Sequence, residues 1–305
     1  MSRLFLFLRS LLNLFNIKVV RIEALSFGFN RKGGFNIFFY RIYIKNKILD
    51  FDLNLGVENE FKQALNLLDN GNIVLCNVET KFLRQCWYYF LESSPITIAT
   101  CFVLKGEYHN FHTSIKQNYN SNYPLNASDR VFISDKKHYL SSYSPIACPL
   151  PWDTDNITKI SSSKETGYLK ENSKMGLINC KEGLLFGPLS KPKIKAEYNR
   201  INKLLKSLKN NGYKRNSSDD GDIGGILLID DSVESDIKFC VRLDTKGNHR
   251  ASALVSLGYK SLPIRISHEN IVRLSELSSW NYVLNNIFKK SEALKVFLNI
   301  LNPID

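Results

Sequence analysis

Apolar residues recur along this chain with two periods, and the switch between them predicts its elements. From Val19 to Leu55 aromatic and branched side chains are dense, most of all in Phe35–Ile44, which predicts strands. Lys45-Asn46-Lys47 predicts a turn and Ile48–Leu53 a return run, together a hairpin. In Glu58–Leu68 the spacing becomes helical, with Phe61, Ala64, Leu65 and Leu68 on one face and Asn70-Gly71 as the stop. Ile73–Cys76 then predicts a short strand, Lys81–Leu91 an apolar helix and Ile96–Leu104 a buried strand. Residues 107–135, rich in Asn, Ser, Tyr and His, and 156–174, rich in Ser, Thr and Lys, predict loops or linkers. Between them Pro145–Trp152 has three prolines in seven positions, which excludes a helix interior or central strand and predicts a segment wrapped across the surface.

The last third has the clearest pattern. Ile194, Tyr198, Ile201, Leu204, Leu205 and Leu208 share one face of a helix that ends at Asn210-Asn211-Gly212. Ile226–Ile229 and Phe239–Leu243 predict strands. Asn248–Leu257 predicts a helix starting directly after Gly247, and Leu262–Ile266 a strand after a Gly258 cap. His268–Leu277 and Ser291–Leu301 predict closing helices. The fold class expected is α+β in two domains, an α+β unit over 1–175 and a mixed sheet with flanking helices over 176–305.

At 305 residues and 44% apolar content the chain can bury a large core without staples. Cys76, Cys86, Cys101, Cys148, Cys180 and Cys240 form no CxxC pair and have no His at zinc-ligand spacing, so they predict reduced thiols in a cytoplasmic protein and no metal framework. His109 and His112 predict a solvated loop pair, not ligands. The 41 Lys and Arg against 29 Asp and Glu, a net +12, favour anionic partners: nucleotides, nucleic acid or an acidic leaflet. Arg9 and Asn13 interrupt Met1–Phe15, which argues against a signal peptide and against a spanning helix. As an amphipathic helix it packs on the domain or, within residues 1–20, makes peripheral contact at the inner membrane face; nine basic residues up to Lys47 against Glu23 alone favour such contact.

Candidate chemistry concentrates in Arg242–Leu257, RLDTKGNHRASALVSL. Gly247 lets backbone amides approach a phosphate, the following helix start offers unpaired N–H groups, and His249 and Arg250 add side-chain donors. Lys246 is a basic cofactor-binding candidate at the same corner, a solvated neighbour of the phosphate and not a catalyst. Upstream, Asp222 in GDIGG is a candidate base or magnesium ligand, ahead of Asp230, Asp231 and Asp244, although Asp beside Gly also suits a turn.

The run GNHRASALVSLGYKSLPIRI, Gly247–Ile266, preceded by Ile194–Leu208 and Ile226–Ile229, resembles the ParB/sulfiredoxin superfamily over about residues 190–268. The resemblance implies nucleotide binding, with Gly247, Asn248, His249 and Arg250 on the phosphates of a nucleoside triphosphate, CTP or ATP, accompanied by Mg2+. Two departures restrict what it carries. Sulfiredoxins have a reactive Cys directly before the His-Arg pair, where this chain has Asn248, and partition proteins carry a DNA-reading module for which the 39 residues after Ile266 are too few. The basic N-terminal helix, Pro151-Trp152-Asp153, Gly187–Ser190 and Glu292–Phe297 also resemble ParB-like proteins found beside polysaccharide biosynthesis enzymes. The function expected is a nucleotide-dependent kinase, hydrolase or switch of a surface-glycan pathway, with Asp222 and His249 as catalytic candidates. The alternatives are a DNA- or RNA-binding protein and a non-catalytic scaffold at the membrane face.

Overall fold

The computed structural model describes residues 17–27, 35–44, 48–85, 89–122, 124–183, 189–214, 222–233, 237–244 and 247–303. The amphipathic segment 1–15, the turn at 45–47, Cys86 and Lys246 lie outside them. The strands are β1 (Ile17–Phe27), β2 (Phe35–Ile44), β3 (Ile48–Asn54), β4 (Ile73–Glu79), β5 (Leu83–Gln85), β6 (Tyr89–Phe90), β7 (Ile223–Asp230), β8 (Lys238–Leu243), β9 (Ser261–Ser267) and β10 (Ile271–Arg273). The helices are α1 (Glu58–Asp69), α2 (Pro95–Leu104), α3 (Tyr108–Asn122), α4 (Ala127–Arg130), α5 (Ile157–Lys174), α6 (Lys191–Asn211), α7 (Asn248–Ser256), α8 (Asn281–Leu284) and α9 (Lys290–Leu301).

The class is mixed α+β. Eight strands form one mixed sheet in the order β3-β4-β9-β7-β8-β5-β6, with β10 continuing beside β7, while β1 and β2 pair apart from it. β7 pairs antiparallel with β8, parallel with β9 at its start and parallel with β10 at its end. Leu227 and Ile229 point to one face and Leu228 to the other, as the two-residue strand period requires, and both faces are covered. On one face α1, α2, α3, α6 and α7 pack over β4, β7, β8 and β9. On the other, Leu228 and Cys240 meet α8, α9 and the segment Ala127–Leu150.

Strands from both sides of residue 175 are neighbours in this sheet: β4 pairs with β9 over seven residues, and β5 lies parallel to β8. Buried Arg84 on β5 reinforces the join. Its guanidinium donates to the carbonyls of Ile300 (3.2 Å) and Leu301 (2.9 Å), the unpaired C-terminal acceptors of α9, and lies 4.2 Å from the Phe90 ring centre. The sheet therefore has no division at the expected boundary.

Several elements differ from the sequence expectation, each for a local reason. Pro95–Leu104 is a helix despite its branched residues, because Ser94 caps it by accepting from Thr97 N–H and Pro95 occupies its first turn. Asn156 likewise caps α5 through Lys159 N–H at 2.8 Å, turning the expected linker into an 18-residue helix. Residues 108–122 are helical because Phe111 and Ile115, one turn apart, bury against the core, where Phe111 meets Tyr198 edge-on; His109 and His112 thus sit on a helix. Where the sequence predicts a helix over Lys81–Leu91, Leu83–Gln85 and Tyr89–Phe90 form the strands β5 and β6, and 268–277 contains β10 between short turns, where β-branched Ile271 and Val272 extend alongside β7. β2 pairs with β1, and β3 pairs parallel with β4, so 35–53 is not a hairpin. Pro145, Ala147, Cys148 and Leu150 are buried, so that proline-rich segment runs inside the second core and not across the surface. Cys76, Cys101, Cys148, Cys180 and Cys240 are free thiols; burial pushes Cys76, Cys148 and Cys240 up to about 12.

Because β8 and β9 need β5 and β4 beside them, a fragment of residues 176–305 is expected to lack a cooperative unfolding transition, whereas the full chain has one. Circular dichroism during thermal unfolding of both checks this, and a cooperatively folded fragment would contradict it.

Candidate functional site

The start of α7 is positioned by a contact that only glycine permits. Gly247 has φ +93°, and a Cβ there would lie 2.9 Å from the Cα of Ile223, so the residue is required both by its left-handed backbone and by the closeness of β7. One residue on, Asn248 is spent on holding the corner. Its Nδ2 donates to the Asp244 carbonyl at 2.7 Å, and its Oδ1 and main-chain carbonyl accept from Gln85 Nε2 at 3.2 and 3.1 Å. Gln85 is fully buried; its Oε1 accepts from Ser94 and from Ser252 (3.1 Å), and Ser252 accepts from Thr97 (3.1 Å). This buried network ties β5, α2 and α7 into one mount, and its members are satisfied by one another.

The N–H of Ala251 donates to Gly247 O at 2.9 Å, so the amides of Asn248, His249 and Arg250 stand ahead of the helical ladder at the positive end of the helix. Gly247, Asn248, His249 and Arg250 all line one cavity of about 540 Å³. Its opposite wall is α5, through Ser163, Lys164, Gly167, Tyr168 and Glu171; Arg200 and Leu204 of α6 and Ile96 of α2 complete it. Arg250 donates to the carbonyl of buried Asp222 at 3.4 Å. Asp222 is therefore joined to the corner from behind but is not among the residues lining the cavity. No group of three or more His, Cys, Asp or Glu among the described residues is placed to hold a metal ion.

A chain of buried charges runs from the core to the cavity. Lys193 and Glu197, one turn apart on α6, are both fully buried. Lys193 Nζ donates to Glu197 Oε1 and to Asn172 Oδ1, each at 2.5 Å. Asn172 in turn donates to the carbonyls of Cys180 and Glu182. The other oxygen of Glu197 lies 3.2 Å from His249 Nε2. Burial works against ionisation of Glu197, but the hydrogen bond from His249, the charge of that ring whenever it is protonated, and the neighbouring cations Lys193 and Arg200 outweigh it and hold its pKa down to about 2. An ionised carboxylate only accepts, so Nε2 of His249 donates, and a neutral ring then carries its lone pair on Nδ1.

Further out, Arg200 pairs with Glu171 across the cavity and lies 3.7 Å from Glu197. Lys164 donates to the carbonyl of Cys148 at 3.3 Å, and its pKa is lowered by burial. The cavity wall thus combines the start of α7, the Lys164 ammonium and the oriented His249 imidazole with an Arg200 guanidinium that is paired with the Glu171 carboxylate; its cationic groups suit an oxyanion.

The helix α7 starts directly after Gly247, as the sequence predicts. Sequence reasoning missed Glu197, Lys193, Arg200, Lys164, Tyr168 and the Gln85 network. Glu197 had a readable signal: it sits three residues after Ile194 and four before Ile201, a carboxylate in the middle of an apolar stripe. The α5 residues had none, since their segment looked like a linker. Against known proteins, no family model, no curated protein and no solved structure matches the chain. Among the described residues no helix is long and apolar enough to cross a membrane.

Glu197 has a folded-state pKa below its ordinary 4.5, so its contribution to stability is present above about pH 4.5 and is lost as pH falls toward 2. Glu197→Gln is expected to cost about 3–5 kcal/mol at neutral pH, by leaving Lys193 buried without its counter-charge, and to flatten the acid limb. Denaturant unfolding at several pH values checks both; an acid limb identical to the parent's would contradict the assignment.

Proposed function

We propose that the chain binds a nucleoside triphosphate, CTP or ATP, in the manner of the ParB/sulfiredoxin superfamily, with the polyphosphate on the amides of Asn248–Arg250. The observation that carries the reading is the cavity itself: the four residues of the Gly-Asn-His-Arg corner line one wall, and cationic Lys164 and Arg200 stand on others. The order helix, strand, strand, glycine, helix, strand over α6, β7, β8, α7 and β9 supports it.

On this reading the residues divide the work. Gly247 and Asn248 hold the backbone, the first amides of α7 carry phosphate charge, and Arg250 adds a planar donor pair. In a transfer or hydrolysis reaction, His249, its Nε2 tied to Glu197, takes the proton from the attacking hydroxyl at Nδ1, and the charged donors stabilise the equatorial phosphoryl oxygens. Asp222 supports Arg250 through its carbonyl and is assigned no direct contact. Among the described residues no group of three or more His, Cys, Asp or Glu accompanies Asp222, so no magnesium ion held by the protein alone is proposed. Magnesium belongs to the proposal only as the counter-ion of the triphosphate. A role in surface-glycan assembly at the cytoplasmic face of a membrane is part of the same proposal and rests on the sequence resemblance alone.

Calorimetry with CTP, ATP, GTP and UTP in the presence of magnesium is expected to show saturable binding of at least one. Arg250→Ala is expected to weaken it by about 2–3 kcal/mol, roughly 30- to 150-fold, the scale of a lost charge-assisted hydrogen bond. Absence of binding by all four, with the parent folded, would reject the reading.

A further inference from the structure

A second concavity lies at the N-terminal end of α5, with a chemistry opposite to that of the first. Its volume is about 310 Å³, near the lower end for small-ligand sites, and none of the residues that line it is charged. Three tyrosines, Tyr139, Tyr143 and Tyr282, contribute its aromatic surface. Their hydroxyls are fixed: Tyr139 and Tyr143 share a hydrogen bond at 2.5 Å, and Tyr282 donates to the Asp155 carbonyl at 2.6 Å. Tyr139 and Tyr143 have ring centres 5.1 Å apart at 56°, so together they form a tilted aromatic wall.

The remaining polar groups split into spent and available ones. Asn281 donates to the Asp153 carbonyl at 3.0 Å and accepts from Asn285 Nδ2 at 3.0 Å, which fixes both amides and leaves the Asn285 carbonyl oxygen as an acceptor. Asn156 Oδ1 caps α5, which leaves its NH2 as a donor. Thr154 and Thr158, both exposed, add hydroxyls that donate and accept. The carboxylate of nearby Asp155 is ion-paired with Lys159.

Aromatic rings beside uncharged donors and acceptors match a ligand whose edge carries many hydroxyls and whose face is C–H. An anion would find no counter-charge among these lining residues, and an apolar ligand would strand the amides without partners. We infer that this concavity binds a neutral saccharide of one or two hexose or N-acetylhexosamine units. Ring C–H groups lie on Tyr139 and Tyr143, and sugar hydroxyls bond Asn156, Asn285, Thr154 and Thr158. The site is separate from the cavity at α7, yet α5 lines both. Thr158 and Ser163, the nearest lining residues of the two sites on α5, are five positions apart, roughly 7.5 Å along a helix, so one rigid element presents an uncharged site at its start and a charged one farther along.

The test is saturation-transfer NMR on the full chain with neutral glucose, galactose and N-acetylglucosamine mono- and disaccharides, alongside the same sugars bearing a phosphate or carboxylate. Neutral sugars are expected to bind, with ring C–H protons receiving the strongest saturation, and the charged forms to bind about tenfold more weakly or less. Tyr143→Ala and, at an exposed position, Asn285→Ala are each expected to weaken binding about tenfold, while Arg250→Ala leaves it unchanged. Thermal unfolding of each variant verifies that it is folded. No saturation from any neutral sugar at millimolar concentration, equal binding of charged sugars, or binding that survives both substitutions would overturn the inference, and none of these outcomes bears on nucleotide binding at α7.

Discussion

The start of α7 can lie against β7 only because residue 247 has no side chain. With a Cβ 2.9 Å from the Ile223 backbone and φ at +93°, any other residue would push the helix off the strand or strain its first turn. Everything at the cavity follows from that approach. It sets Asn248 where its side-chain amide reaches both Asp244 and Gln85, and it places residues 248–250 on the wall of the cavity that α5 also lines. The glycine therefore serves packing first, and the phosphate binding proposed for the helix end is a consequence of where packing leaves it.

A second constraint is the buried charge chain from Asn172 through Lys193 and Glu197 to His249. Taking such groups out of water is expensive, and a buried ion pair adds little net stability compared with apolar residues of equal volume. Its value lies in what it fixes. Glu197, held ionised by the hydrogen bond from His249 and its positive neighbours despite burial, dictates which ring nitrogen of His249 donates, and so leaves the other as the lone-pair nitrogen of a neutral ring. Glu197 is in this sense a positioning residue, with its geometry anchored by Lys193 and, through Asn172, by the carbonyls of Cys180 and Glu182.

The C-terminal third was legible because its signals are local. A full apolar stripe with a glycine stop marks α6, a short branched run marks β7, and glycines bracket α7. The N-terminal two thirds were harder, for three physical reasons. Apolar residues all around α2 erase the amphipathic period, so its Ser-Pro cap was the remaining evidence of a helix. In α5, Ser, Thr and Gly suit both a linker and a helix whose stability comes from packing, and packing is not written in a window of sequence. Strand partners separated by nearly two hundred residues, such as β4 with β9, leave no local trace, which is why a boundary at residue 175 looked natural and the sheet ignores it. The candidate site divided the same way: the corner at Gly247–Arg250 was readable, whereas the wall supplied by α5 was not.

We propose that the amides at the start of α7 grip a polyphosphate. Backbone amide shifts of the isotope-labelled chain, followed as inorganic tripolyphosphate and then nucleotide are added, test it most directly. The account predicts saturable shifts centred on His249 and Arg250, with the Arg200 and Lys164 neighbourhoods following. Shifts confined to lysines elsewhere on the surface, with the α7 amides unmoved, would contradict it.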